Sequence, residues 1–596
     1  MVSVRNKLAT PVVLLAIALS SGTRWSDAAQ QAGSASSVRE TTLPPTASSP
    51  AATQSPPEAN RESPTYTRLL NTIVARENQL VKTLQTYTPR MEIYIQNMRP
   101  DPELGAVPQS DYYFLGRVQF QRNRAISVRS LLPGPKLRAR LVKDLSGPIT
   151  QYFSPLEYSP ATFYFSLVMD NGRFDRQHYD FEFVRQEFLG DLRCLVFDVR
   201  PKLHGRRGGR SEIGLFEGRI WVEDRDDNVV RFNGSFAPAP ANSVYYHFDS
   251  WRQNIQPGLW LPVYAYSEES GVKYGINRTL RFRAQIRFWG YGLENPNHAS
   301  EMTRIQVDSS SPVRDSSGSG ADLSPVEGER EWQQEAQDNV LDRLQKAGLL
   351  APPGDVGKVL ETVVNNLIVT NHLSNLPSIH CRVLLTSTLE SLTVGNTIIL
   401  SRGLIDVLPD EPSLAAMLAH ELAHCALQQT LGADSTKWAF EDRLMMPDEE
   451  LFRYLRFSPS ERDEQQADAK ALELLKNSPY KDQLGKVGLF LRAMADAAPH
   501  TPQLFGAHLG SRLVQGDHVR RLAELINGAP QLEKTKVDQI AALPLGARVK
   551  VDPWSDAAQL TKAKPVSLVS AREKMPFEVT PLFPYLTRLP SEQARQ

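Results

Sequence analysis

The first half of the chain begins with one helical pattern and then changes to short strand-like runs. In residues 66–85, YTRLLNTIVARENQLVKTLQ, apolar positions recur at helical spacing, and Pro89 ends the pattern. From about 91 to 291, runs rich in Tyr, Phe, Val and Ile alternate with turn residues, and no helical pattern intervenes. These runs predict a curved antiparallel sheet or an open barrel. Within them, GRIWVEDRDDNVVRFNGSF predicts a hairpin that turns at residues 226–228.

The second half is predicted to be mainly helical. A Ser-, Gly- and Asp-rich stretch at 306–330 breaks all periodicity before it. Two helical segments then lead to two candidate strands, CRVLLTST and NTIILSRGL. From about 540 to 589, a few strand-like runs with proline-rich connections follow.

The segment LAAMLAHELAHCALQQT, at 414–430, lies inside a predicted helix with well-defined ends. Asp410 suits its N-cap, and Glu411 and Pro412 suit its first turn. Gly432 suits the left-handed position that follows a helix. We therefore expect the motif to lie in the middle of the helix.

The N-terminus has the pattern of an export signal. Arg5 and Lys7 precede an apolar run at 8–19, and small residues around Ser26 and Ala28 suit a signal peptidase. The run is shorter than the roughly 20 residues of a membrane span, and no later stretch approaches that length. We expect export to the periplasm or the extracellular space, with no transmembrane span after signal removal. An uncleaved signal anchor is the alternative.

These changes of pattern divide the chain into six parts. The 596 residues exceed one core, because single cores stop growing near about 250–300 residues. The predicted parts are a signal peptide (1–28), a disordered Ser-, Ala- and Pro-rich linker (29–63), a helix plus an antiparallel β domain (64–305), a linker (306–330), a mostly helical domain (331–535) and a strand-containing extension (536–596).

Charge and cysteine content exclude several classes of function. Lys plus Arg and Asp plus Glu each number 67, so the chain lacks the basic excess expected of a nucleic-acid partner. Three cysteines, Cys194, Cys381 and Cys425, form neither a disulfide framework nor a thiolate zinc site. We expect buried apolar thiols, with one disulfide between Cys381 and Cys425 as the alternative.

The motif HELAH points to metal chemistry. At 3.6 residues per turn, His420 and His424 project from one helix face and can share one ion. A metal ion lowers the pKa of a water that it binds toward about 7, and Glu421 can accept the proton of that water as general base. A chance HExxH arises on the order of once in a hundred chains of this composition, so the site needs a third ligand.

Two carboxylates on a second predicted helix complete the candidate site. In SPSERDEQQADAKALELL, a capping box from Ser458 to Glu461, with Pro459 in the first turn, opens the helix. Glu464 is the preferred third ligand and Asp468, on the same face, its partner that orients a ligand histidine. Glu461 is the rival ligand, assigned instead to the cap. A solvated charged face is the alternative for the whole run.

The two motifs together resemble a known class of peptidase. NTIILSRGLIDVLPDEPSLAAMLAHELAHCALQQ and SERDEQQADAKALELL are similar to the zinc peptidases of the HtpX and CAAX prenyl protease type, which are gluzincins, over about 343–525. The resemblance implies one Zn²⁺ held by His420, His424 and Glu464, with Glu421 as general base and Asp468 as the orienting acid. It thereby predicts a zincin-type metallopeptidase domain, and an α+β multidomain fold overall.

The resemblance also draws attention to a later histidine. Such peptidases tend to have a His and an Arg near the groove after the second helix, which here suggests His508 as a donor to the oxyanion of the intermediate. The nearby basic residues are Arg512, His518, Arg520 and Arg521. A surface histidine beside a basic helix is the alternative. The sequence departs from the resemblance by lacking several membrane helices and by having ESLTVGN, at 390–396, where an Asn-Ala-Phe-Ala segment is usual.

The strand repeats carry a second resemblance, to the sheet of LolA-type lipoprotein carrier domains, which shelters an acyl chain. It implies lipid or lipoprotein contact, and a structural or substrate-docking β domain is the alternative. The leading hypothesis is an exported, soluble zinc endopeptidase that acts on proteins or peptides. Envelope protein quality control is its suggested role. A binding or chaperone-like protein with a latent site and a lipid carrier are the competing hypotheses. Whether residues 437–457 form a lid stays open.

Overall fold

The computed structural model describes part of the chain, and all of that part belongs to one compact unit, Gln54–Gln596. The predicted signal peptide, the linker up to residue 62 and the loop at 437–457 lie outside the described residues. The described ranges are 63–101, 105–120, 126–131, 167–169, 173–202, 215–237, 247–274, 278–292, 325–429, 459–533, 549–552, 557–560 and 586–589.

Among its described residues, the N-terminal region consists of one helix and a large antiparallel sheet. Helix α1 spans Pro64–Leu84. The strands of the sheet that the structure describes are β1 (Arg90–Asp101), β2 (Gly105–Phe120), β3 (Ile126–Ser130), β4 (Tyr179–Leu189), β5 (Leu192–Pro201), β6 (Leu215–Glu223), β7 (Val229–Ala237), β8 (Phe248–Gln256), β9 (Leu259–Tyr274) and β10 (Arg278–Trp289).

The strand order is β3-β2-β1-β10-β9-β8-β7-β6-β5-β4. Strands β1 and β10, the first and last strands of this sheet along the chain, are therefore neighbours. Tyr94 of β1, for example, faces Gln285 of β10. The predicted antiparallel sheet is confirmed, and it is open rather than closed into a barrel. The predicted hairpin joins β6 to β7, where Asp227 has a φ of 59°.

Helix α1 covers one face of this sheet. Leu70 and Ile73 pack against aromatic residues of β4 to β8, and Leu80 and Leu84 pack against β1, β9 and β10. The sheet buries an apolar face because its strands alternate inward apolar and outward residues. In the described residues, the side chains of α1 therefore occupy the apolar face that the lipid-carrier hypothesis requires for an acyl chain.

A buried ion pair joins α1 to the middle of the sheet. Glu77 accepts two hydrogen bonds from Nη2 of Arg252, at 2.7 and 3.0 Å, and both side chains are at most 3 % exposed. Nη1 of Arg252 donates to the carbonyl oxygen of Val229. Two charges buried under a helix must neutralise each other, because removing either one leaves the other uncompensated. This pair fixes the position of α1 along the sheet.

The C-terminal region is mainly helical and contains a small mixed sheet. The α-helices that the structure describes there are α2 (Pro325–Lys346), α3 (Asp355–Thr370), α4 (Arg402–Val407), α5 (Glu411–Ala426), α6 (Glu461–Lys476), α7 (Leu484–Ala497) and α8 (Glu524–Asn527). Its strands are β11 (His380–Leu384), β12 (Glu390–Val394), β13 (Thr397–Ser401), β14 (Ser511–Arg512), β15 (Val514–Gln515), β16 (His518–Val519), β17 (Val549–Asp552) and β18 (Ala557–Leu560). The order β11-β13-β12-β14 places β12 between β13 and β14.

Several elements differ from those predicted. Helix α2 begins at Pro325, inside the predicted linker, because proline suits a first helical turn and helix-forming residues follow it. Strand β12 was not predicted, although Gly395, with a φ of 57°, makes a short turn between it and β13. Helix α5 ends at Ala426 rather than near Gly432, since Gln428 already adopts a φ of 53°.

The two regions share a buried polar contact as well as a common core. Tyr94, Tyr113 and Leu115 of the large sheet lie in the same hydrophobic cluster as the helices of the C-terminal region. Glu92, which is buried, accepts hydrogen bonds from the main-chain N–H and the hydroxyl of Ser387, at 2.6 and 2.7 Å. The same carboxylate also accepts from Tyr113 Oη at 2.7 Å. The sheet is thus packed directly against the strands that precede α5.

No helix among the described residues combines the length and the apolar character needed to cross a lipid bilayer.

The Glu77–Arg252 pair generates a stability prediction. We expect Glu77→Leu to lower the free energy of unfolding by about 3–5 kcal/mol, because Arg252 stays buried without its counter-charge. The double variant Glu77→Leu/Arg252→Met is expected to recover most of the loss, since it removes both charges together. Urea unfolding of the three proteins measures both effects. A loss below about 1 kcal/mol in the single variant would contradict the assignment.

Candidate metal centre

Helix α5 brings two histidines together deep inside the C-terminal region. Asp410 caps the helix, accepting the Ser413 main-chain N–H at 2.9 Å, and every residue from Pro412 to Cys425 is buried. His420 and His424 lie one turn apart, and their Nε2 atoms are 3.2 Å from each other. The helical spacing of the motif therefore places two ring nitrogens at one point.

Helix α6 supplies a carboxylate to the same point. Oε2 of Glu464 lies 3.1 Å from Nε2 of His420. The helix begins at Glu461, with Ser460 as N-cap and Asp463 as the reciprocal partner of a capping box, so the predicted box at Ser458 is wrong by two residues. Ser460 and Asp463 are spaced three apart, as this box requires, which satisfies the first main-chain N–H groups. Glu461 is not the capping residue. Its side chain is 72 % exposed and lies 3.7 Å from Arg520.

The spacing of the three groups fits a tetrahedral metal ion. Ligand atoms bound about 2.0–2.2 Å from zinc in a tetrahedron are roughly 3.3 Å apart. The ligand atoms of His420, His424 and Glu464 all lie within 4.8 Å of one another, with two of the separations at 3.1 and 3.2 Å. Two imidazoles and one carboxylate are also a donor set that zinc prefers.

Each histidine has a second partner at its other ring nitrogen. Nδ1 of His420 lies 2.8 Å from Oδ1 of Asp468, and Nδ1 of His424 lies 3.1 Å from Oε1 of Gln429. Each oxygen can accept a hydrogen bond from a protonated Nδ1, and in that tautomer the lone pair of each Nε2 is available for a metal. Gln429 was not predicted, because it follows the helix and belongs to no motif. Its own amide is held by Gln466 of α6 at 2.7 Å.

Glu421 lies beside this group and is held by two donors. Thr393 Oγ1 donates to its Oε2 at 2.7 Å, and Arg521 Nη1 donates to its Oε1 at 2.8 Å. Burial alone raises the pKa of this carboxyl, but the Arg521 guanidinium and the two histidines outweigh it and lower the pKa below its ordinary value. Glu421 is therefore ionised and fixed in place.

Arg521 is a central charge of the site. It is fully buried, pairs with Glu421, donates to Ser391 Oγ and has its Nε 3.6 Å from Oε2 of Glu464. Against the effect of burial, the Arg521 guanidinium and the adjacent ring of His420 hold the pKa of Glu464 well below its usual range. The sequence suggested Arg521 only as a neighbour of His508. Its RR dipeptide gives no local signal of which arginine points inward.

His508 lies in a segment that contacts both regions of the protein. Its ring stacks on Tyr113 with centroids 5.2 Å apart, and its main-chain N–H donates to Oε2 of Glu390 at 2.9 Å. The following N–H groups, of Leu509 and Gly510, donate to the same oxygen. The role of His508 toward an oxyanion stays a prediction. The other basic candidates, Arg512, His518 and Arg520, are exposed.

The segment after His508 contacts the metal group, which is the set of His420, His424 and Glu464. Ser511, on β14, donates its hydroxyl to Oε1 of Glu464 at 2.6 Å. Strand β14 pairs with Glu390 and Ser391 of β12. Both oxygens of Glu464 therefore face defined partners, Ser511 on one side and His420 with Arg521 on the other.

The three cysteines take no part in this site. Cys194, Cys381 and Cys425 are free and buried, so the disulfide alternative is wrong. Burial raises the pKa of each thiol to about 12, which keeps all three protonated.

Residues 363–437 match the model of peptidase family M48. The match supports a zinc metallopeptidase, and it contains both histidines and Glu421. Glu464, Asp468 and Arg521 lie outside the matched segment, so their place in the site rests on the geometry. No curated protein matches the chain. The finer resemblances, to the HtpX and CAAX prenyl protease type and to LolA-type carriers, stay predictions.

The burial of Arg521 predicts a large effect on stability in the absence of metal. In a chelator, Arg521→Met is expected to lower the free energy of unfolding by about 3–5 kcal/mol, because the buried Glu421 and the partly buried Glu464 lose their cation. The neighbouring Arg520→Met is the matched control, with an expected loss under about 0.5 kcal/mol, since Arg520 is exposed. Equal losses in both variants would show that the pair to Glu421 and Glu464 is not formed.

Two glutamates of α6, Glu461 and Glu464, generate a metal-binding prediction. We expect Glu464→Gln to weaken Zn²⁺ binding by at least about a hundredfold, because a neutral amide replaces a charged ligand. Asp468→Asn is expected to weaken it by about 10- to 100-fold through loss of the His420 partner. Glu461→Gln is the control and should bind as the wild type does. Competition titration with a chromogenic chelator measures all three, and the reverse order of the two glutamates would refute the site.

Proposed function

We propose that this protein is a zinc-dependent endopeptidase. The observation that carries the proposal is the convergence of two histidine Nε2 atoms and the Glu464 carboxylate beside a buried, ionised Glu421. The match to peptidase family M48 over the segment that holds the HELAH helix supports it. A metal group without an adjacent base would fit a structural site equally well, so Glu421 distinguishes the two.

The residues divide the chemistry between them. When bound, Zn²⁺ supplies Lewis acidity, which polarises a peptide carbonyl and lowers the pKa of water. Glu421 accepts the proton of the attacking water and then delivers it to the nitrogen of the leaving amine. Thr393 and Arg521 hold the Glu421 carboxylate in one orientation through this exchange. Asp468 and Gln429 fix the tautomers of the two ligand histidines.

Strand β12 is the proposed site for the extended substrate. Among the described residues, β14 pairs with β12 only at Glu390 and Ser391, so the same edge continues past Thr393 without a strand partner. A peptide that adds a strand there would gain main-chain hydrogen bonds and run past Glu421, which Thr393 contacts. His508, beside this edge in the chain segment that precedes β14, stays the proposed oxyanion donor.

The proposed cellular setting rests on the N-terminal sequence. We propose that the peptidase is exported, to the periplasm or the extracellular space, and acts on protein or peptide substrates there, with envelope quality control as its setting. The apolar run at 8–19 after Arg5 and Lys7 supports export. No observation favours the latent-site or chaperone-like alternative. The lipid-carrier alternative is disfavoured, because α1 already packs on the apolar face of the sheet that an acyl chain would need.

Replacement of the general base tests the proposal. Glu421→Gln is expected to retain Zn²⁺ while losing casein cleavage by about 10²–10⁴-fold, because the amide accepts no proton. Glu461→Gln, at an exposed position of α6, is the control and should cleave casein normally. Metal content by mass spectrometry and cleavage rate are measured on the same samples. Equal cleavage by wild type and Glu421→Gln, or a folded wild type without stoichiometric zinc, would overturn the proposal.

A further inference from the structure

A short segment near the end of the sequence lies on the large sheet. Residues 586–589, Leu-Thr-Arg-Leu, contact the N-terminal region although they are hundreds of residues from it along the chain. Their contacts fall on the turns β4–β5, β6–β7 and β8–β9, which are adjacent hairpins at the same end of the sheet. The segment therefore crosses three hairpins instead of adding a strand to the sheet edge.

The first contact is apolar, and it leaves no room for a side chain at one position of the sheet, Gly190. Leu586 is 1 % exposed and belongs to the cluster that contains Trp221, Trp251 and Trp260. Its carbonyl oxygen accepts the main-chain N–H of Asp191 at 3.0 Å. A Cβ on Gly190 would lie 2.8 Å from both the nitrogen and the oxygen of Leu586. The absence of a side chain at Gly190, which also has a φ of 61°, is thus a requirement of this contact.

The second contact is an ion pair to a carboxylate that the hairpin has already fixed. Nη2 of Arg588 donates to Oε2 of Glu223, whose side chain is fully buried. The turn that follows β6 donates four further hydrogen bonds to the same carboxylate, from main-chain N–H groups and from the amide of Asn228. Because these bonds do not involve Arg588, Glu223 stays oriented whether or not the segment is bound.

The third contact is a hydrogen bond from the main chain of the segment. The N–H of Leu589 donates to Oδ1 of Asn254 at 2.8 Å. The Asn254 amide is itself held by the carbonyl oxygens of Gln256 and Leu259 in the β8–β9 turn. Between the buried Leu586 and the half-buried Arg588, the side chain of Thr587 is exposed. The sheet therefore contacts the side chain of a leucine, leaves the side chain of the next residue free in solvent, and then contacts the side chain of an arginine and the main-chain N–H of the residue after it.

We propose that the three hairpin turns form a peptide-binding site, separate from the metal centre, and that residues 586–589 are its ligand in this chain. Among the described residues, the groups that contact the segment belong to the sheet, and its own turns hold Glu223 and Asn254 in place, so these parts of the site exist before the ligand arrives. Its ligand class is an extended peptide with leucine two residues before arginine. This inference does not depend on the proposed peptidase activity, because none of these residues contacts the metal group.

Binding in trans tests the proposal. A chain that ends at Tyr585 is expected to bind a fluorescent peptide of residues 584–590, PYLTRLP, whereas the wild type binds it at least about tenfold more weakly because its own segment competes. Fluorescence anisotropy measures both. Absence of binding to the shortened chain at about 1 mM peptide, or equal binding by both proteins, would overturn the proposal. If the shortened chain does not fold, the full-length double variant Leu586→Ala/Arg588→Ala replaces it.

Single changes in the peptide test the recognition pattern. Leu586→Ala and Arg588→Ala should each weaken binding by roughly tenfold to a hundredfold, through loss of burial and of the charged hydrogen bond. Thr587→Ala is the control and should bind within about twofold, since its side chain is exposed. Equal weakening at all three positions would refute the pattern.

Two glycines offer a matched pair for the steric test. Gly190→Ala in the shortened chain is expected to abolish peptide binding. Gly516→Ala is the control, because Gly516, in the β15–β16 turn outside the proposed site, also has a positive φ, of 63°, but a Cβ there meets nothing within 4 Å. Both variants carry the same kind of backbone strain, so their comparison isolates the contact with the peptide. Binding by Gly190→Ala equal to that by Gly516→Ala would overturn the placement of Leu586.

Discussion

The complete burial of helix α5 is the constraint on which the metal centre depends. Leucine and alanine residues of this helix are buried on all its sides, so His420, Glu421 and His424 lie in the core with them. A buried polar group without a partner is costly, and a buried charge more so. Their partners must come from other elements, which are the β12 strand, helix α6, the residue after the helix end and the segment that contains Arg521. The core therefore specifies the site as much as the motif does.

Arg521 shows how that constraint is met. Two carboxylates, Glu421 and Glu464, lie within reach of one fully buried guanidinium. Without it, burial would favour their protonated forms, which neither accept protons nor bind metal well. With it, both are ionised before any metal arrives, and the guanidinium fixes the orientation of Glu421 through a hydrogen bond of 2.8 Å while its Nε lies 3.6 Å from Glu464. The charge that a zinc ion would meet is thus organised by the protein, which is the basis of electrostatic preorganisation.

The sequence predicted the parts of this site that lie on single helices. Helical spacing placed His420 and His424 on one face, with Glu421 one step round the helix, and it placed Glu464 and Asp468 on one face of the next helix. It did not predict Thr393, Ser511 or the role of Arg521, because these contacts join residues about 30 to 100 positions apart. Boundaries were less certain for a local reason: Ser458 and Ser460 both suit an N-cap, and the competing box with Asp463 formed. The antiparallel sheet was predictable from alternation, whereas the pairing of β1 with β10 was not.

The large sheet takes part in the surroundings of the metal centre. Tyr113 stacks on His508, Glu390 collects the three N–H groups of residues 508–510, and Ser511 then contacts Glu464. Glu92 of the sheet binds Ser387, three residues before Glu390. Because one short segment is held by the sheet on one side and touches a metal-group carboxylate on the other, a displacement of the sheet would move Ser511. The N-terminal region is for this reason a structural support of the site, whatever further ligand its own surface binds.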